Sequence, residues 1–129
     1  MVAVSPEKGN QKSQAMEIQV DEHGKIQVLA CEGRMDAQVS GLLKDRIQEL
    51  LDKGTTQLVV DMEGLEFLDS SGLGALVSCL RRVKEKKGEI KLAGLRPEVH
   101  SIFEITRVSR LFHICETVPE ALKAFKKKD

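Results

Sequence analysis

The stretch Gln57–Val77, QLVVDMEGLEFLDSSGLGALV, decides how this chain is to be read. It opens on Gln57-Leu58-Val59-Val60-Asp61, a short apolar and β-branched run of the kind buried within a sheet. It closes on Leu73, Leu76 and Val77, which continue through Leu80 and Val83 at the spacing of one helix face. Between them the eight residues Met62 to Asp69 read as a loop. Asp69-Ser70-Ser71 reads as a helix start, because an aspartate or serine oxygen accepts from the free N–H groups of the first turn. Gly72 and Gly74 then stand in the first turns, although each glycine costs about 1 kcal/mol relative to alanine. Capping needs one of these polar residues and leaves the second serine and both glycines unexplained. An exposed serine at a helix start, with side chains removed so that a partner's surface can come close, uses all of them. On that reading Gly72→Ala leaves the free fold unchanged or more stable and weakens a complex.

Working outward, Met16-Glu17-Ile18-Gln19-Val20 and Lys25-Ile26-Gln27-Val28-Leu29-Ala30-Cys31 alternate as strands around the turn residues Asp21-Glu22-His23-Gly24, predicting a hairpin. From Val39 the positions Leu42, Leu43, Ile47, Leu50 and Leu51 predict a helix that Gly54 ends. Downstream, Lys86-Lys87-Gly88 supplies cations and a glycine for the end of the second helix. Ile90-Lys91-Leu92-Ala93 reads as a strand. Pro97 opens a helix carrying Val99, Ile102, Phe103 and Ile105, Leu111 to Ile114 read as a short strand, and a helix from Pro119 through Ala121, Leu122 and Phe125 closes the chain. Strands alternating with helices predict an α/β domain with parallel portions in its sheet and right-handed crossovers. Sites in such sheets lie beyond the carboxyl ends of the strands, which is where Ser70 falls. Residues 1–15 lack any sustained period and read as a disordered extension that contributes neither to folding nor to binding, residues 16–126 as the domain, and 127–129 as a basic tail.

The chain has 129 residues, enough for one domain with its own core. Its 20 Lys and Arg balance 20 Asp and Glu, and it has no Trp or Tyr, which argues against direct nucleic-acid binding. Cys31, Cys79 and Cys115 are scattered among apolar neighbours with no C-x-x-C pair, so they read as small buried hydrophobes in a reducing compartment, with no metal site implied. No apolar run is long enough to span a bilayer and no signal peptide is evident, predicting a cytoplasmic protein. The cations Arg81, Arg82, Lys84, Lys86 and Lys87, and again Lys126-Lys127-Lys128, read as solvated ends, with a docking patch for an acidic partner as the alternative.

An enzyme is the weakest functional reading. Ser70 lacks the flanking glycines of a nucleophile elbow, and no phosphate-binding loop is present. His23, His100 and His113 stand at no ligand spacing, so no catalytic residue and no cofactor is assigned.

The segment Asp61-Met62-Glu63-Gly64-Leu65-Glu66-Phe67-Leu68-Asp69-Ser70-Ser71-Gly72-Leu73-Gly74 resembles the signature of the bacterial anti-sigma factor antagonists, the single-domain members of the STAS family. Gly33-Arg34-Met35-Asp36 resembles the same family's earlier Gly-x-apolar-Asp motif. The resemblance covers residues 16–126 and implies a mostly parallel sheet of four or five strands with an N-terminal hairpin, flanked by four helices. It implies a binding switch: the unphosphorylated protein docks on an anti-sigma factor that is also a serine kinase, releasing the sigma factor. Phosphorylation at Ser70 then ends the binding, and a PP2C-type phosphatase resets the switch. Asp36, Asp69, Ser71, Gly72, Leu73 and Gly74 would belong to the partner surface. A scaffold subunit of a stress-signalling or lipid-transport assembly, without phosphate turnover, is the alternative.

Overall fold

The computed structural model describes residues 16–127, so the expectations for residues 1–15 and for Lys128 and Asp129 lie outside the described residues. Five strands form one sheet in the order β1-β2-β3-β4-β5, with β1 (Glu17–His23) antiparallel to β2 (Ile26–Met35). The hairpin pairs His23 with Ile26 around a two-residue turn, and Gly24 takes φ +65° at its first position, where a side chain would be strained. The remaining strands, β3 (Gln57–Leu68), β4 (Glu89–Ala93) and β5 (His113–Cys115), join in parallel. Helices α1 (Ser40–Asp52), α2 (Ser70–Glu85), α3 (Pro97–Ile105) and α4 (Val118–Lys127) complete the mixed α/β domain that the sequence predicts.

Residues of α1, α2 and α3, among them Leu43, Ile47, Leu76, Val83 and Phe103, share one buried cluster with Leu29, Leu58, Val60 and Leu92 of the sheet. On the opposite face Ala121 and Phe125 of α4 cover Ile26, Val28, Val59 and Ala93. Lys91 is buried in this second layer at 2% exposure. Its ammonium donates to Glu89 Oε2 at 2.7 Å, contacts His113 Nδ1 at 2.8 Å and lies 4.6 Å from the centre of the Phe125 ring. A buried cation needs such partners, since an uncompensated one would cost several kcal/mol.

The main correction to the sequence reading concerns Met62 to Asp69. Met62 to Leu68 form the second half of β3, a strand of 12 residues, and not a loop, and only Asp69 lies between strand and helix, as the cap of α2. Met62, Leu65 and Leu68 are all buried although three residues apart, which no regular strand allows. Two bulges explain it. The register passes from Ala30↔Asp61 to Glu32↔Gly64 and from Gly33↔Leu65 to Arg34↔Phe67, so β3 spends one extra residue at each step. Gly64 permits the first crowding, because a Cβ there would lie 2.7 Å from Glu32 Cγ.

Smaller departures occur near the ends of elements. The left-handed residue that ends α2 is Lys87 (φ 63°), whereas Gly88 is needed because a Cβ there would collide with the Thr56 carbonyl. The last strand begins at His113, and Leu111 lies instead after a single 3₁₀ turn, Val108–Arg110, at 53% exposure. Ile105 ends α3 fully out in solvent at 81%, and Leu42 on α1 is 41% exposed, so neither is a core position.

Candidate functional site

Parallel pairing of β2 with β3 brings their carboxyl ends together, with Met35 opposite Leu68. The next residues in each strand are Asp36 and Asp69, so the two motifs singled out in the sequence meet at neighbouring strand ends, roughly 5 Å apart. The Asp69 N–H closes the junction by donating to the Met35 carbonyl at 3.3 Å. Asp36 shapes the exit from β2: its Oδ1 accepts from the Gln38 N–H at 3.1 Å, and its carbonyl accepts from Val39 and Ser40 at 3.1 and 2.9 Å. The chain thereby turns into α1, whose N-cap Val39 offers no side-chain bond.

Asp69 supplies the cap of α2. Its backbone is extended (φ −108°, ψ −173°), its Oδ1 accepts from the Gly72 N–H at 3.0 Å, and its carbonyl accepts from Leu73 at 3.0 Å. A carboxylate here also faces the positive end of the helix dipole. Because Asp69 fills the capping role, neither serine is needed for it. Ser70 and Ser71 are both exposed, and their hydroxyls have no intramolecular hydrogen-bond partner among the described residues. Ser70 is the first helical residue, so its hydroxyl projects from the end of the helix where N–H groups lack intrahelical acceptors.

The two glycines separate by role, and the expectation for Gly72 is corrected. Gly72 is buried: a Cβ built there would lie 2.5 Å from the Met35 carbonyl oxygen, 2.7 Å from Leu68 Cδ1 and 2.9 Å from Met35 Cγ. The residue is glycine so that α2 can seat against the ends of β2 and β3, not to admit a partner. Leu73 likewise turns inward at 7% exposure and belongs to the core. Gly74 is exposed with nothing within 4 Å of a built Cβ, so it remains an open approach of the kind expected. Of the predicted partner surface, Asp69 and Ser71 adjoin Ser70, Gly74 lies exposed one helical turn on and Asp36 follows the neighbouring strand end, while Gly72 and Leu73 are buried.

Sequence reasoning missed the contact between Arg34 and Phe67. They are register partners beside the strand ends, and the guanidinium sits 3.9 Å from the ring centre. Only the bulged pairing of the Met62–Leu68 segment, hidden in a sequence read as a loop, could have placed them together. A cleft of about 730 Å³ lined by Leu95, Pro97, His100, Ser101 and Glu116 opens beyond β4 and β5, and contains none of the Ser70 cluster. No group of His, Cys, Asp or Glu among the described residues is arranged to hold a metal ion. The thiols are buried and free; burial pushes Cys31 up to about 12 and Cys79 to about 11, and raises Cys115 as well.

With the sheet, its crossovers and the serine-bearing helix end in place, the chain belongs to the STAS domain family, whose model matches residues 17–121. The anti-sigma F factor antagonist of Paenibacillus polymyxa is 22% identical over 108 residues, 83% of this chain and 92% of that protein. An anti-sigma factor antagonist from Mycobacterium paratuberculosis superposes with a TM-score of 0.77 at 23% identity, covering 84% of this chain and 92% of that one. The phosphorylated form of the Bacillus cell fate determinant SpoIIAA superposes with a TM-score of 0.68 at 21% identity, covering 84% of this chain and 99% of that one. These relatives carry the names of regulators and not of enzymes. No helix among the described residues is long and apolar enough to cross a membrane.

Proposed function

We propose that this protein is an anti-sigma factor antagonist: unphosphorylated, it binds an anti-sigma factor serine kinase and releases the sigma factor, and phosphorylation of Ser70 ends the binding. The observation that carries this reading is the division of labour at the start of α2. Asp69 alone caps the helix, leaving the Ser70 hydroxyl exposed and without an internal partner. A serine kept there for stability would be bonded to the backbone.

The physical consequences of phosphorylation fit a switch in binding rather than in fold. A phosphoserine adds roughly −1.5 to −2 charges, which a helix N-terminus accommodates, so the free domain survives. In a complex the same dianion must be desolvated beside Asp69 and the neighbouring Asp36. A loss of about 3 kcal/mol there weakens binding more than a hundredfold. A PP2C-type phosphatase would restore the hydroxyl.

Intact-mass analysis of the protein isolated from its own cells, followed by peptide mapping, tests the reading. A species heavier by one phosphate and mapping to Ser70 is expected. Phosphate on Ser71 overturns the assignment, and absence of phosphate under every growth condition favours a constitutive scaffold.

A further inference from the structure

The end of the domain opposite Ser70 is built differently from the rest of its surface. Lys53 after α1, Lys84, Lys86 and Lys87 at the end of α2, and Arg107 and Arg110 after α3 all gather where the parallel strands begin. All six are exposed, and none has an ion-pair partner among the described residues. Of the carboxylates at this end, Glu89 pairs with Lys91 and Glu49 with Arg46, Asp52 accepts from Gln48, Glu22 accepts from Gln27 and Glu104 faces His100, while Asp21 and Glu85 are exposed. Two of the cations are held at a conformational cost. Lys87 (φ 63°) and Arg107 (φ 67°) are the only described non-glycine residues with positive φ, at helix ends where glycine would be unstrained.

Two of the three large exposed aliphatics in the described chain lie beside these cations: Ile105 at 81% and Leu111 at 53% exposure, flanking Arg107 and Arg110. They project outward and do not line the cleft beyond β4 and β5. Solvated helix ends would explain the lysines but not two large aliphatic side chains exposed on either side of Arg107 and Arg110.

We infer that this pole is a peripheral docking surface for an anionic lipid bilayer, with Ile105 and Leu111 entering the headgroup region and the six cations meeting lipid phosphates. Protein interfaces are depleted of lysine and rich in aromatic residues, whereas this pole has several lysines and exposes aliphatics. A bilayer surface takes lysine and arginine together with shallow aliphatic anchors, and needs no preformed pocket. A strand of the length of β3 separates the two ends by roughly 40 Å, several Debye lengths at about 0.1 M salt, so acidic groups near Ser70 do not cancel the attraction there. Docked in this way the protein would keep Ser70 facing water, so the inference stands apart from the proposed function.

Co-sedimentation of the full chain with extruded vesicles tests this. Binding to equimolar phosphatidylglycerol and phosphatidylcholine should exceed binding to phosphatidylcholine alone by at least about tenfold at low salt, and the difference should shrink at high salt. Ile105→Ser combined with Leu111→Ser should weaken binding about tenfold without lowering the melting temperature. Lys87→Gly should weaken binding severalfold while raising the melting temperature, because it removes a charge and relieves the strained φ together. Equal binding to the two lipids, no binding to the anionic vesicles, or binding untouched by these substitutions overturns the inference. Capture of soluble polyglutamate without vesicle binding would assign the pole to an acidic protein and likewise overturns it.

Discussion

At the residue scale, the glycines at the start of α2 answer to two different demands. Gly72 exists because a methyl group would meet the Met35 carbonyl at 2.5 Å, and backbone at a strand end cannot retreat as a flexible side chain could. Gly72→Ala should therefore destabilise the free protein, by about 1–3 kcal/mol as for other overpacking substitutions. Gly74→Ala meets nothing within 4 Å and gains the helix preference of alanine, stabilising the free fold by up to about 1 kcal/mol. Thermal melts of the two variants side by side decide the point, and equal shifts would contradict it. If the open surface at Gly74 serves a partner, the stabilised variant should also bind the kinase less tightly. Asp69 is likewise more than a surface acid. It holds the helix cap that frees Ser70, so Asp69→Ala should cost about 1 kcal/mol of stability before any effect on a partner is considered.

At the element scale, the end of α2 provides a matched pair of predictions. Lys87 occupies a left-handed conformation at φ 63°, and replacing it by glycine should stabilise the protein by about 1 kcal/mol. Gly88→Ala should do the reverse, because its methyl would strike the Thr56 carbonyl that accepts from the Glu89 N–H at 2.9 Å. Urea unfolding of the two variants checks both signs. The same contrast shows what sequence could and could not supply. The helix-ending signal at Lys86-Lys87-Gly88 was legible, but which residue takes the left-handed turn depends on how closely the following strand packs. The helical spacing of Leu73, Leu76, Leu80 and Val83 was plain, and so was the buried run Gln57–Asp61. The second half of β3 was not, because two bulges turn the two-residue period of a strand into the three-residue spacing of Met62, Leu65 and Leu68. That misreading also hid Arg34 against Phe67. The short strand β5 was misplaced for a different reason: Leu111 and Phe112 are adjacent apolar residues, and only packing decides that Phe112 is buried while Leu111 is not.

At the scale of the whole molecule, one sheet carries two helical layers, and its two ends carry different chemistry. The core on the three-helix side encloses Cys31 and Cys79, whose thiols burial pushes up to about 12 and about 11 from an ordinary 9.0. In the unfolded chain these thiols ionise near 9.0, while in the folded domain they stay neutral to higher pH. Stability is therefore unaffected by them below pH 9 and falls as pH rises from there toward 12. Chemical denaturation across that window should show the decline, with Cys31→Ala starting less stable but declining less steeply. A parallel slope in the variant would show that other groups are responsible. Neither the core nor the basic pole involves Ser70, which stands free at the opposite end of the sheet with its cap supplied by a neighbour. That arrangement makes the central claim open to one direct measurement, the affinity of the wild type, Ser70→Ala and Ser70→Asp for the cognate anti-sigma factor kinase. Circular dichroism should first show all three folded alike, since a carboxylate at a helix N-terminus is favourable. Ser70→Ala should then bind at least as persistently as the wild type in the presence of ATP. Ser70→Asp should bind more weakly by tenfold or more, because it places part of a phosphate's charge in the contact. Equal affinity of all three proteins, or tighter binding by Ser70→Asp, would contradict the account.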